Sequence, residues 1–191
     1  MSLAAAVRRV LLLALVAPAL AVAGDGTRRV AVPQHGELEI VLPAVWRSTT
    51  EPTPAGEPDK EGKVPPPEGD TLRTEPAQGT KFLLMATPAW VPVEARNAKE
   101  AASWMKRRLF NQTVEADPFI EEFKGSRNVV YWFKATNKNP NPGDHDRMVQ
   151  GAAVVGELLV GFTMLYHPGE LPERDVVLKA LGDARHIGPK Q

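Results

Sequence analysis

The sequence predicts an α+β domain: a mainly antiparallel sheet with helices on both faces. Three observations lead there. Arg147–Val155 and Leu158–Tyr166 are strand-length runs that meet at Gly156-Glu157 and read as a hairpin. The second run is apolar on both faces, with Leu158, Val160, Phe162 and Met164 on one and Leu159 and Leu165 on the other. That is the pattern of a central strand covered on both sides. Helical segments open at Asn97 and Pro172, each after a group of strands rather than alternating with them.

In chain order, Met1–Ala23 reads as a cleavable export signal. Arg8-Arg9 form a basic n-region, Val10–Leu20 an apolar stretch, and Ala21-Val22-Ala23 a small-residue cleavage site before Gly24. The stretch is shorter than the ~20 residues a spanning helix needs. The Arg pair also resembles a twin-arginine signal, but Val7 stands where that signal carries a polar residue, which favours the general secretory route. Residues 24–36 read as a short mobile lead, and 37–187 as a single domain.

Leu38, Ile40 and Leu42 alternate with Glu37, Glu39 and Val41 as a strand ending at Pro43, followed by Trp46. Glu51–Gly69 holds six prolines and three glycines with almost no bulky apolar residue, so it reads as an exposed loop. Thr71–Glu75 and Lys81–Thr87 are strand candidates. Asn97 with Glu100 forms a capping box, in which each side chain serves a backbone donor at the helix start. Ala98, Ala101, Ala102, Met105 and Leu109 make the helix's buried stripe, and Lys106, Arg107 and Arg108 suit the negative end of its dipole. Phe119–Phe123 and Asn128–Thr136 read as strands joined at Lys124-Gly125-Ser126, and Asn137–Asp146 as a polar loop. Pro172 starts the closing helix, whose stripe is Val177, Leu178, Leu181 and Ala184.

Composition narrows the function. Without Met1–Ala23 the chain has 21 basic against 23 acidic residues, a formal charge of −2. Nucleic-acid and anionic-membrane binders usually carry a basic excess, so neither is expected as a partner. There is no cysteine. Disulfides, thiol catalysis, Cys–metal sites and lipidation at a processed N-terminal Cys are therefore excluded.

The element order resembles the PsbP-like superfamily, which includes the PsbP subunit of the plant oxygen-evolving complex and DcrB-type envelope proteins. The residues that carry the resemblance are Leu38-Glu39-Ile40-Val41-Leu42-Pro43 with Trp46, the Phe82–Thr87 strand leading to the Asn97 helix, and the Gln150–Tyr166 hairpin with its closing helix. The resemblance spans most of residues 36–186. It implies an α/β/α sandwich and an accessory or adaptor role, and it brings no catalytic residues. The proline-rich insertion after Trp46 departs from the compact versions.

Chemistry-bearing constellations are sparse. His35, His145, His167 and His186 stand apart in sequence, with no H-E-x-x-H and no i, i+4 pair. They read as surface histidines. Asp144-His145-Asp146 is the metal candidate, two carboxylates and an imidazole on one loop. Consecutive residues do not converge on one ion without distorting the loop, so no metal and no cofactor is expected. Ser48, Ser103 and Ser126 lack any G-x-S-x-G context. Glu121 and Glu122 are adjacent, so on a strand they face opposite ways. Asn111-Gln112-Thr113 matches a glycosylation sequon, a short motif frequent by chance.

Trp46, Trp90, Trp104 and Trp132 are candidates to line a ligand groove, though a tryptophan at strand or helix spacing is more often core; Trp90, in a connection between Pro88 and Pro92, is the least obviously buried. The candidate partner or ligand surface is thus Trp90, Lys106, Arg107, Arg108, Asp144, His145 and Asp146. The expected function is that of a non-enzymatic periplasmic or secreted protein that binds another envelope or secreted protein, with no stable membrane insertion after signal cleavage. The alternative is a periplasmic small-molecule or metal-ion binding protein.

Overall fold

The computed structural model describes residues 26–53, 69–79, 81–169 and 171–189. The expected export signal Met1–Ala23, with its cleavage site at Gly24, lies outside the described residues. So does most of the expected proline-rich loop, 54–68. The strands are β1 Thr27–Val32, β2 Gly36–Val41, β3 Trp46–Glu51, β4 Thr71–Pro76, β5 Phe82–Trp90, β6 Glu121–Lys124, β7 Val129–Thr136, β8 Arg147–Val155, β9 Leu158–Tyr166 and β10 Arg185–Ile187. The helices are α1 Ala98–Arg108 and α2 Glu173–Asp183. Among the described residues no helix is long and apolar enough to cross a membrane.

Seven strands form one antiparallel sheet in the order β3-β4-β5-β9-β8-β7-β6, and β1-β2-β10 form a second. The β8–β9 hairpin pairs over nine residues, from Arg147 with Tyr166 to Val155 with Leu158. Gly156, at φ 59, makes the turn. β9 is central, with β5 on its other edge.

The expected layering, helices on both faces of one sheet, does not hold. The described chain is mostly β, built as two packed sheets rather than an α/β/α sandwich. On one face of the large sheet the second sheet packs through β1 against β5, and its Val30, Val32, Leu38 and Ile40 are fully buried in the shared core. α2 joins that layer, against β2, β6, β7 and β8. α1 lies on the other face and packs chiefly on β7 and β8, with fewer contacts to β9. Geometry explains the failure. An eleven-residue helix is about 16 Å long, whereas seven strands at ~4.8 Å spacing span about 29 Å. A strand apolar on both faces needs apolar cover, and a sheet supplies it as well as a helix does.

Local differences follow the same logic. Residues 24–36 are not simply a lead, because Thr27–Val32 pairs with β2 along its whole length. The Arg28-Arg29 pair hides the alternation. Arg28 is buried, and its guanidinium donates to Trp46 O at 3.1 Å and Ser48 Oγ at 3.0 Å. The strand expected over Phe119–Phe123 starts at Glu121 and leaves Phe119 81% exposed. Trp90 is not in a connection but ends β5. His186 lies on β10.

The helix starts follow the sequence closely. Asn97 Oδ1 accepts from Glu100 N at 3.1 Å. The reciprocal arm of the capping box is missing because Asn97 N donates to Ala95 O instead. Ala98 and Ala102 are buried, while Ala101, Met105 and Leu109 are half-buried. Val177, Leu178, Leu181 and Ala184 are all buried, as the stripe predicts. The β6–β7 turn holds the far end of α2. Arg127 N and Asn128 N donate to Gly182 O, and Asn128 Nδ2 donates to the carbonyls of Leu181 and Ala184. These bonds satisfy carbonyls that a helix end otherwise leaves open.

Candidate functional site

The short reach of α1 leaves part of the large sheet uncovered on its side. There the half-buried residues of β5 and β9 alternate outward: Met85, Thr87 and Ala89 on one strand, Leu159, Gly161 and Thr163 on the other. Ala101, Trp104 and Met105 of α1 form the adjoining wall. The resulting groove encloses about 430 Å³. A second hollow of about 520 Å³ shares Ala101, Trp104 and Leu159 and adds Glu94, Glu100 and Arg107 at its rim. Trp104 therefore sits where the two meet, 51% exposed.

Hydroxyls line one edge of the floor. Thr71 Oγ1 lies 2.8 Å from Thr87 Oγ1 and 2.9 Å from Thr53 Oγ1, and Thr53 Oγ1 donates to Gly69 O at 2.6 Å. Gln150 Nε2 donates to Thr163 Oγ1 at 3.0 Å, while Gln150 Oε1 is buried without a hydrogen-bond partner. A groove with a Trp–Met–Leu surface and an ordered hydroxyl edge can hold an extended, largely apolar segment. Methionine adapts its shape to such a segment, and tryptophan anchors it.

The structure divides the sequence-derived candidates among three places. Lys106, Arg107 and Arg108 belong to the groove region. Arg107 is on its rim, the Arg108 guanidinium stands 4.8 Å from the Trp104 ring centroid, and Lys106 is tied to Asp117 at 2.6 Å. Trp90 is elsewhere, half-buried on the face toward the second sheet and stacked on His35 at 4.4 Å. The Asp144–Asp146 loop precedes β8, at the opposite end of the hairpin from the strand end that Trp90 pairs with.

That loop does not gather its three side chains. Asp144 Oδ2 accepts from Asn141 Nδ2 at 2.8 Å, His145 stacks on His167 at 4.8 Å, and Asp146 Oδ1 is buried without a hydrogen-bond partner. No group of three or more His, Asp or Glu among the described residues is arranged to hold a metal ion. The histidines are nonetheless not isolated, as their spacing suggested. His145 meets His167, and His186 Nε2 donates to His35 O at 2.6 Å, because Glu157 N donates to its Nδ1 and so leaves the proton on Nε2.

Sequence reasoning left Trp104 out of the candidate surface, favouring core over groove lining for it. The signal was present. At about 100° per residue, Trp104 falls roughly 60° beyond Ala101, the edge of the stripe of Ala98, Ala101, Ala102, Met105 and Leu109, beside the basic end of the helix.

No family model matches the chain, and no curated protein sequence matches it.

Proposed function

We propose that this is an exported, non-enzymatic accessory protein that uses the groove beside α1 to bind an extended, apolar segment of another envelope or secreted protein. One observation carries the reading: Trp104, half-exposed at the junction of two hollows floored by Met85, Leu159 and the outward face of β5 and β9. Large aromatics left uncovered beside an apolar groove are where partner-binding energy concentrates. The sequence motive for export supports the same reading.

A photo-crosslinking residue placed at Trp104 tests it, with the mature protein in its native envelope and the same residue at Lys99 as the control. A discrete protein adduct is expected from position 104 and not from 99. Trp104→Ala should abolish co-purification of that same partner while leaving the unfolding midpoint within about 0.5 kcal/mol of wild type. Equal adducts from both positions, or undiminished co-purification by Trp104→Ala, would overturn the assignment.

A further inference from the structure

A second pocket, on the opposite face of the large sheet, has a different chemistry. It encloses about 630 Å³ between β7, β8, the end of β9 and the start of α2. Its apolar lining is Val149, Leu171 and Pro172. Its polar lining is Lys134, Tyr166, Arg174 and Asp175. The indole of Trp132 is almost fully buried, and two cations lie over it, Lys134 Nζ at 5.5 Å and Arg174 Cζ at 5.1 Å from the ring centroid.

Two positive side chains drawn to one ring repel each other, and of the two only Arg174 has an ion pair among the described residues. Arg174 pairs with Asp175 at 2.8 Å, and that carboxylate is largely exposed. Lys134 has no carboxylate within ion-pair distance among the described residues. The aromatic contacts bias both cations toward the ring and so reduce the side-chain ordering that a ligand must impose. Tyr166, buried and on the same wall, adds a neutral hydroxyl donor, because burial pushes its phenol above the usual range.

We infer that this pocket binds a small organic carboxylate, with the anion between Lys134 and Arg174 and the apolar part against Val149 and Leu171. Guanidinium and ammonium groups recognise the charge, and the apolar lining favours a carboxylate that carries a hydrophobic body over a bare oxyanion. This site is separate from the groove beside α1 and does not depend on the protein-binding reading.

Titration calorimetry of the mature protein with benzoate tests the inference, with benzamide and inorganic phosphate as comparison ligands. Saturable binding of benzoate in the millimolar range or tighter is expected, with none for benzamide. Lys134→Ala and Arg174→Ala should each weaken it about tenfold or more. Arg174→Lys, which keeps the charge, should recover part of the loss. Circular dichroism melts of each variant establish that the fold persists. Absent benzoate binding overturns the inference, as does binding untouched by either alanine variant. Equal binding of benzamide removes the role of charge. Binding of phosphate in place of benzoate overturns the carboxylate class.

Discussion

Gly125→Ala should cost about 3 kcal/mol of stability. A Cβ built on Gly125 would stand 2.3 Å from Gly182 Cα and 2.4 Å from Gly182 C and O. Ordinary carbon contacts lie at about 3.5–4.0 Å, so the β6–β7 turn and the end of α2 must part by roughly 1 Å or more. Both sides of the clash are backbone, which no rotamer change relieves. Overpacking of this kind costs about 1–3 kcal/mol. The same displacement stretches the bonds from Arg127 N and Asn128 N to Gly182 O, 3.0 and 2.9 Å long. It also stretches those from Asn128 Nδ2 to Leu181 O and Ala184 O, each 3.0 Å long. At about 1 kcal/mol net per bond, losing one or two brings the total to about 3 kcal/mol. Urea unfolding followed by far-ultraviolet circular dichroism measures it, and the midpoint should fall by about 1–2 M with an unchanged slope. Gly188→Ala is the control, because nothing lies within 4 Å of its added Cβ, and it should stay within about 0.5 kcal/mol of wild type. A Gly125→Ala midpoint equal to that of the control would refute the close approach and the view that this turn caps α2.

Other expectations are as concrete. Phe162→Ala should destabilise by about 3–5 kcal/mol in chemical denaturation, because the ring is 2% exposed on the central strand of the large sheet; a near-wild-type midpoint would place β9 outside the main core. Asp183 is held well below the usual carboxylate range by Lys179, by the Ser126 hydroxyl and by the Ser126 amide. A carboxyl lowered on folding stabilises above its unfolded value near 3.9, and the contribution fades as acid brings the pH toward the folded value. The stability gap between wild type and Asp183→Asn should therefore be constant near neutral pH and close below about pH 4, and a gap independent of pH would contradict the assignment. Millimolar Ca²⁺ or micromolar Zn²⁺ should not raise the melting temperature, since the side chains of Asp144, His145 and Asp146 diverge; a saturable rise that Asp144→Ala with Asp146→Ala abolishes would establish a metal site.

Much of the local structure was legible in the sequence. The nine-residue hairpin β8–β9 announced itself by alternation and a glycine turn, α1 by Asn97 and Glu100, and α2 by its apolar stripe. Each rests on contacts between neighbours in the chain, so periodicity and capping chemistry suffice to reveal it. What covers each face was not legible. The two-sided apolar pattern of β9 asks for cover on both sides without naming its source, and the core that its buried side joins includes β1 and β2, more than 100 residues earlier in the chain. β1 itself was obscured because a buried arginine, Arg28, looks exposed until Trp46 O and Ser48 are beside it. The candidate sites divide the same way. Arg107 and Arg108 were singled out as a charged helix end, and helical periodicity placed Trp104 outside the buried stripe, but only the fold shows that it stands beside the uncovered part of β5 and β9. Lys134 and Arg174 are 40 positions apart in the chain, and no spacing rule joins them. The ring of Trp132 does, because α2 packs against β7 and brings Arg174 to the ring that Lys134 also approaches.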